Sequence, residues 1–234
     1  HLEPLAIATN ITQNDFTWLD TVLITLVNLY CQFLNPMLDG VVCAAVLASL
    51  EKHWAKADQP IFILAVVLNL YICASAFAIN SPYRTPEKLW ELVEMAYLCS
   101  YGIQPNGDFQ VAFGQYLCGL GDWTDMKMGL AFWQADADDK KIPVNLIQVW
   151  HENEPIMYSH ENPCNQPSLQ NNTSGLVLLV TNILSIIPNT AATKCLFSKF
   201  SIVHLKLCNC LHSDKVCKQV LPCGNTMAKF LMPV

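Results

Sequence analysis

Two long apolar runs limit what this chain can become. TWLDTVLITLVNLYCQFL occupies 17–34 and IFILAVVLNLYICASAFAI occupies 61–79, and each approaches the roughly 20 residues that cross a bilayer as a helix. Both must be buried, in lipid or inside a protein core. Asp20 and Asn28 interrupt the first run and Asn69 interrupts the second. Neither run is flanked by the lysine and arginine asymmetry that orients membrane spans. The interruptions favour core helices of a globular protein. A small helical membrane protein with spans near 17–34 and 61–79 is the alternative.

Charge is scarce in the rest of the chain as well. Charged residues make up 14% of the 234 and hydrophobic ones 53%, where about a quarter charged is usual for a soluble protein. That is enough apolar side chain for one or two domains with a sizeable core. Of thirteen basic residues only Arg84 is arginine, and the net charge is −6. No short window gathers the Lys/Arg cluster that a phosphate backbone requires, so direct nucleic-acid binding by this segment is not expected.

Helix punctuation is clear in two places. TPEKLWELVEMAYLCSYG (85–102) offers Thr85 as N-cap, Pro86 at the first helical position, Glu87 in the first turn and Gly102 as the stop. NGDFQVAFGQYLCGLG (106–121) sets Phe109, Phe113, Tyr116 and Leu117 on one face and closes on glycines. The expected fold is mainly α, with helices near 17–34, 41–53, 60–78, 86–101, 107–118 and 191–209 and a loop over 152–174. Trp133, Trp150 and GLVLLVTNILSIIP (175–188) add candidate buried area.

Chemistry-bearing motifs are missing. The chain has no glycine-rich phosphate loop, no G-x-S-x-G and no H-E-x-x-H. Asp136, Asp138 and Asp139 in QADADDKK lack the glycine and glutamate of a calcium loop and read as a solvated helix end. His53 and His204 have no spaced partners. CNCLH, with Cys217 and Cys223 behind it, places its C-x-C inside a helical pattern instead of the turn that zinc ligands favour. No metal and no cofactor are expected. The eleven cysteines are odd in number, and the chain opens at His1, as a fragment does, without a basic-then-apolar leader. A secreted disulfide framework is therefore not expected, and the sequons at Asn10 and Asn172 read as unmodified.

IPNTAATKCLFSKFSIVHLKLCNCL (187–211) carries the remaining pattern. Leu196, Phe200, Val203, Leu207 and Leu211 follow one another at spacings of four, three, four and four, the stripe of an amphipathic helix that has to be covered. Together with LEPLAIATNITQ (2–13), SLEKHWAKADQPIFILAVVLN (49–69) and PVNLIQVWHENEP (143–155), this segment resembles the C-terminal part of fungal-type hAT-family transposases. The resemblance covers most of the chain. Its most specific part is the hAT dimerisation region, where the family reads small-small-x-x-Glu-Arg-x-Phe-Ser and then Lys-Leu-Arg-Asn-Arg-Leu; Thr190 to Ser198 and Lys206 to Leu211 stand at those places.

The departures from that pattern are informative. Cys195, Cys208, Cys210 and Cys217 stand where the family has arginine, Lys194 where it has glutamate, and Leu70 where it tends to have proline. Each is one C-to-T or G-to-A transition away, which reads as a transposon copy decaying under cytosine mutation. In the family the glutamate completes a carboxylate triad for two-metal strand cleavage with two aspartates ahead of this region. Lys194 puts an ammonium there instead.

The resemblance thus implies a helical C-terminal fragment of an RNase H-like transposase. Its divisions are insertion and core helices over 1–105, the dimerisation region over 106–222 and a tail over 223–234. It implies no enzymatic activity, nuclear location, and association as a homodimer or with related hAT proteins. The residues expected to carry association are Leu196, Phe197, Phe200, Val203, Leu207, Leu211 and Trp133.

Overall fold

The computed structural model describes residues 2–14, 17–153 and 173–188, and over these the protein is mainly helical, with no strand among the described residues. The chain runs through α1 (Leu2–Gln13), α2 (Leu19–Phe33), α3 (Gly40–Trp54), α4 (Gln59–Val67), α5 (Pro86–Tyr101), α6 (Gly107–Leu117), α7 (Asp125–Met128), α8 (Leu130–Lys140), α9 (Leu146–Glu152) and α10 (Thr173–Leu184). Short 3-10 turns occupy Cys73–Ala76, Pro82–Arg84 and Gly121–Trp123.

Several boundaries follow from the caps that the sequence announces. Thr85 accepts from the Lys88 N–H, and Gly102 ends α5 in the left-handed region at φ 70°, where a Cβ would be strained. Asn106 accepts from the Phe109 N–H to open α6, which buries Phe109, Phe113 and Tyr116. Asp39 opens α3 by accepting from Val41 and Val42. The acidic end of α8 is solvated, with Asp136 paired to Lys140 at 2.7 Å.

Helix α4 is apolar nearly all round and α10 is strongly apolar, with Asn182 at its exposed edge, and such helices belong at the centre of a bundle. Ile63, Leu64, Ala65, Val66, Val67 and Leu68 are 0–3% exposed. Helix α4 packs against α2, α5 and α10, and α10 packs in turn on α4, α5, α6 and α9. The main core runs from Leu19 to Leu184. A second, smaller core joins Ala8, Leu29, Phe33 and Cys43 from α1, α2 and α3. Helix α2 therefore serves two cores at once.

The helix expected over 60–78 is corrected: it stops at Val67. Asn69 ends it, because its Oδ1 accepts from the Tyr71 N–H at 2.9 Å and its amide Nδ2 donates to Asp20 Oδ2 at 2.6 Å. An asparagine that bonds its own backbone two residues on turns the chain and does not continue a helix. Asp20 and Asn69, one polar interruption from each apolar run, are thus partners, while Asn28 is exposed. Helix α2 has 15 residues and α4 has 9, and among the described residues no helix is long and apolar enough to cross a membrane.

Helices α1, α7, α8, α9 and α10 have no counterpart among the expected boundaries. Helix α10 begins at Thr173, inside the stretch read as a loop through 174. The helix expected over 191–209 lies outside the described residues.

Candidate association surface

Between the two cores the protein leaves an open cleft of about 720 Å³. One wall is the face of α2 that carries Leu23, Val27 and Tyr30. Opposite stand Leu50 and Trp54 of α3, with Ile63 and Val66 of α4 at the floor. The segment between α4 and α5 supplies Phe77 and Tyr83, whose rings pack at 5.6 Å between centroids. Trp54 is held by an edge contact to Phe62 at 6.0 Å, and its carbonyl accepts from Gln59 Nε2 at 3.1 Å.

Polar groups on these walls are few. Glu51 is the one charged side chain on them; its Oε1 accepts from the Tyr30 hydroxyl at 3.4 Å, joining α3 to α2 across the rim. Val27 is 52% exposed although it sits in an apolar lining, so among the described residues this part of the wall faces water. A cleft of this size and chemistry lies within the range of about 300–1,000 Å³ that seats apolar ligand groups or the anchors of a partner helix. It presents mainly apolar contact, with the Glu51 carboxyl group and the polar side chains of Asn28, Gln59 and Ser81 among the lining.

A second polar locus lies at the buried C-terminus of α4, whose last carbonyls have no partner within the helix. The Tyr116 hydroxyl donates to the Val67 carbonyl at 2.7 Å, and the Trp150 indole N–H donates to the Leu68 carbonyl at 3.2 Å. Tyr116, Trp123 and Trp150 pack around one another with centroids 5.2–6.0 Å apart. Burial pushes the Tyr116 hydroxyl well above its ordinary range, with Cys73 adding to the effect. The Cys73 thiol, 3.8 Å from the Tyr116 oxygen, is raised chiefly by burial and further by Asp125, against a lowering by the Tyr116 hydrogen bond. A raised thiol holds less thiolate and is a poor nucleophile. This locus is a helix terminus closed by side chains.

Of the residues expected to carry association, Leu196, Phe197, Phe200, Val203, Leu207 and Leu211 lie outside the described residues. Trp133 lies on α8, half-buried against the main core and in edge contact with Phe132 at 5.8 Å. Cys31, Cys43, Cys73, Cys99 and Cys118 are free thiols; the C-x-C motif, Cys217 and Cys223 are outside the described residues. Among the described residues no group of three His, Cys, Asp or Glu side chains could hold a metal ion.

Sequence reasoning missed the cleft. The available signal was a second stripe on α2, Leu23, Val27 and Tyr30 at spacings of four and three, distinct from the Leu29 and Phe33 face that enters the smaller core. No protein-family model, curated protein or solved structure matches this chain.

Proposed function

We propose that this chain is a protein-association module, a homodimerising unit or a partner for related chains, that works through segment 191–211 and has no strand-cleaving activity. The observation that supports this reading best is the apolar cleft on α2, α3 and α4, a wet surface whose offer is apolar contact, in a chain that also carries an apolar stripe at 196–211. Full burial of Leu196, Phe200, Val203, Leu207 or Leu211 would gain on the order of 1.5–3 kcal/mol each. The proposal includes descent from the C-terminal region of a hAT transposase, with its RNase H-like ancestry and nuclear location. It rests there on the motif resemblance at 190–198 and 206–211.

Light scattering of the purified chain at micromolar concentration tests it. The mass of two chains is expected. Phe200→Asp should place a charge in the apolar contact and return the mass of one chain with helicity kept. A helical monomer of the unmutated protein overturns the reading, and recovery only from detergent would favour membrane insertion at 17–34 and 61–79 instead. Restoring the acid with Lys194→Glu should produce no metal-dependent nicking of DNA, because one carboxylate does not assemble a two-metal site.

A further inference from the structure

We propose that the cleft of α2, α3 and α4 is the receptor for the 196–211 stripe of a second copy of this chain, so that two copies exchange their C-terminal segments. The inference rests on the reading that 191–211 drives association, and it adds the surface that receives it. The cleft is lined from three helices and a turn mainly by aliphatic and aromatic side chains, with Asn28, Glu51, Gln59 and Ser81 among them, which suits a helix that presents apolar anchors four, three and four residues apart beside polar edges.

Charge agrees with the match. Segment 189–213 contains Lys194, Lys199 and Lys206 and no acidic residue, whereas the one charge on the cleft walls is Glu51. At 100° per residue a helix over 196–211 sets Lys199 and Lys206 along one edge of the stripe, seven residues apart. Either one borders the apolar anchors closely enough to meet a carboxylate on the rim.

Helix α10, the last described element before the stripe, packs on α4, α5, α6 and α9 and so shares α4 with the cleft, whose other walls are α2, α3 and the 76–83 turn; the donor proposed is a second copy. Exchange between two copies also closes as a symmetric pair, each groove filled by the other chain's stripe.

The test uses the full chain and two exposed cleft positions, because these substitutions leave the cores intact. Val27→Asp should convert the dimer to a monomer with an unchanged far-ultraviolet spectrum. Glu51→Lys should weaken the dimer roughly twofold to fivefold, the range of an exposed ion pair, and Glu51→Lys with Lys199→Glu or Lys206→Glu should recover it.

The decisive measurement mixes monomeric Val27→Asp with monomeric Phe200→Asp. One partner then has an intact stripe and the other an intact cleft, so a mixed dimer is expected. Loss of the dimer in Phe200→Asp but not in Val27→Asp overturns the cleft while leaving dimerisation standing, as does failure of the two monomers to pair. A monomeric unmutated chain in which cross-links join 196–211 to the cleft of the same molecule overturns both.

Discussion

At the scale of single residues, the most consequential groups are the two that finish α4. Tyr116 and Trp150 satisfy the Val67 and Leu68 carbonyls at a helix end buried away from water. Tyr116→Phe keeps the ring and removes the donor, and an unsatisfied buried acceptor costs about 1–3 kcal/mol. Its urea midpoint should fall accordingly, with the slope unchanged. The same residue sets a pH dependence. Its folded pKa lies above the unfolded one, as does that of Cys73, so above about pH 8.5, where free thiols and then phenols ionise, the unfolded chain binds fewer protons than the folded one. Stability is full below that range and falls as pH rises through the folded values. Tyr116→Phe should flatten the loss between pH 9 and 11, roughly the window in which those groups titrate; an equally steep loss in the variant would show that other groups cause it.

At the scale of elements, the legible helices were those with chemical punctuation. Thr85, Pro86 and Gly102 bounded α5, and the aromatic face with its closing glycines marked α6, because caps and periodicity are local properties of the chain. The end of α4 was not legible, since the apolar run continues past it and the turn depends on a bond between Asn69 and Asp20, 49 residues apart. Helices α8 and α9 lacked strong periodicity, and the packing of their neighbours holds them in place. The cleft was hidden for a related reason: a run apolar on several faces reads as buried throughout, and only tertiary arrangement decides which face stays wet. Asn69→Leu should test the coupling. It removes the amide donor from the buried Asp20 and the acceptor that closes the turn, and a loss of about 1–3 kcal/mol is expected by chemical denaturation. Asn69→Leu combined with Asp20→Leu should recover only the part that comes from burying the Asp20 carboxylate without its amide donor, because the Tyr71 and Thr21 N–H groups still lose their acceptors.

At the scale of the whole molecule, the bonds that close α4 have an implication for how the chain is made. Val67 and Leu68 meet their donors 49 and 82 residues later in sequence, and α10, which covers the other apolar helix, comes later still. A ribosome adding about 5–20 residues per second therefore exposes α4 for several seconds before Tyr116 and then Trp150 are available. Contacts so distant in sequence are slow to form because loop closure must precede their reward. A chain stopped at 105 should emerge with α4 uncovered and collect in the insoluble fraction, whereas one stopped after 188 should be soluble and protect the Leu64 and Val67 amides from hydrogen exchange. During that interval of synthesis the nascent chain is a client for whatever holds apolar helices out of aggregates, and the rate of translation between codons 68 and 150 becomes a determinant of yield.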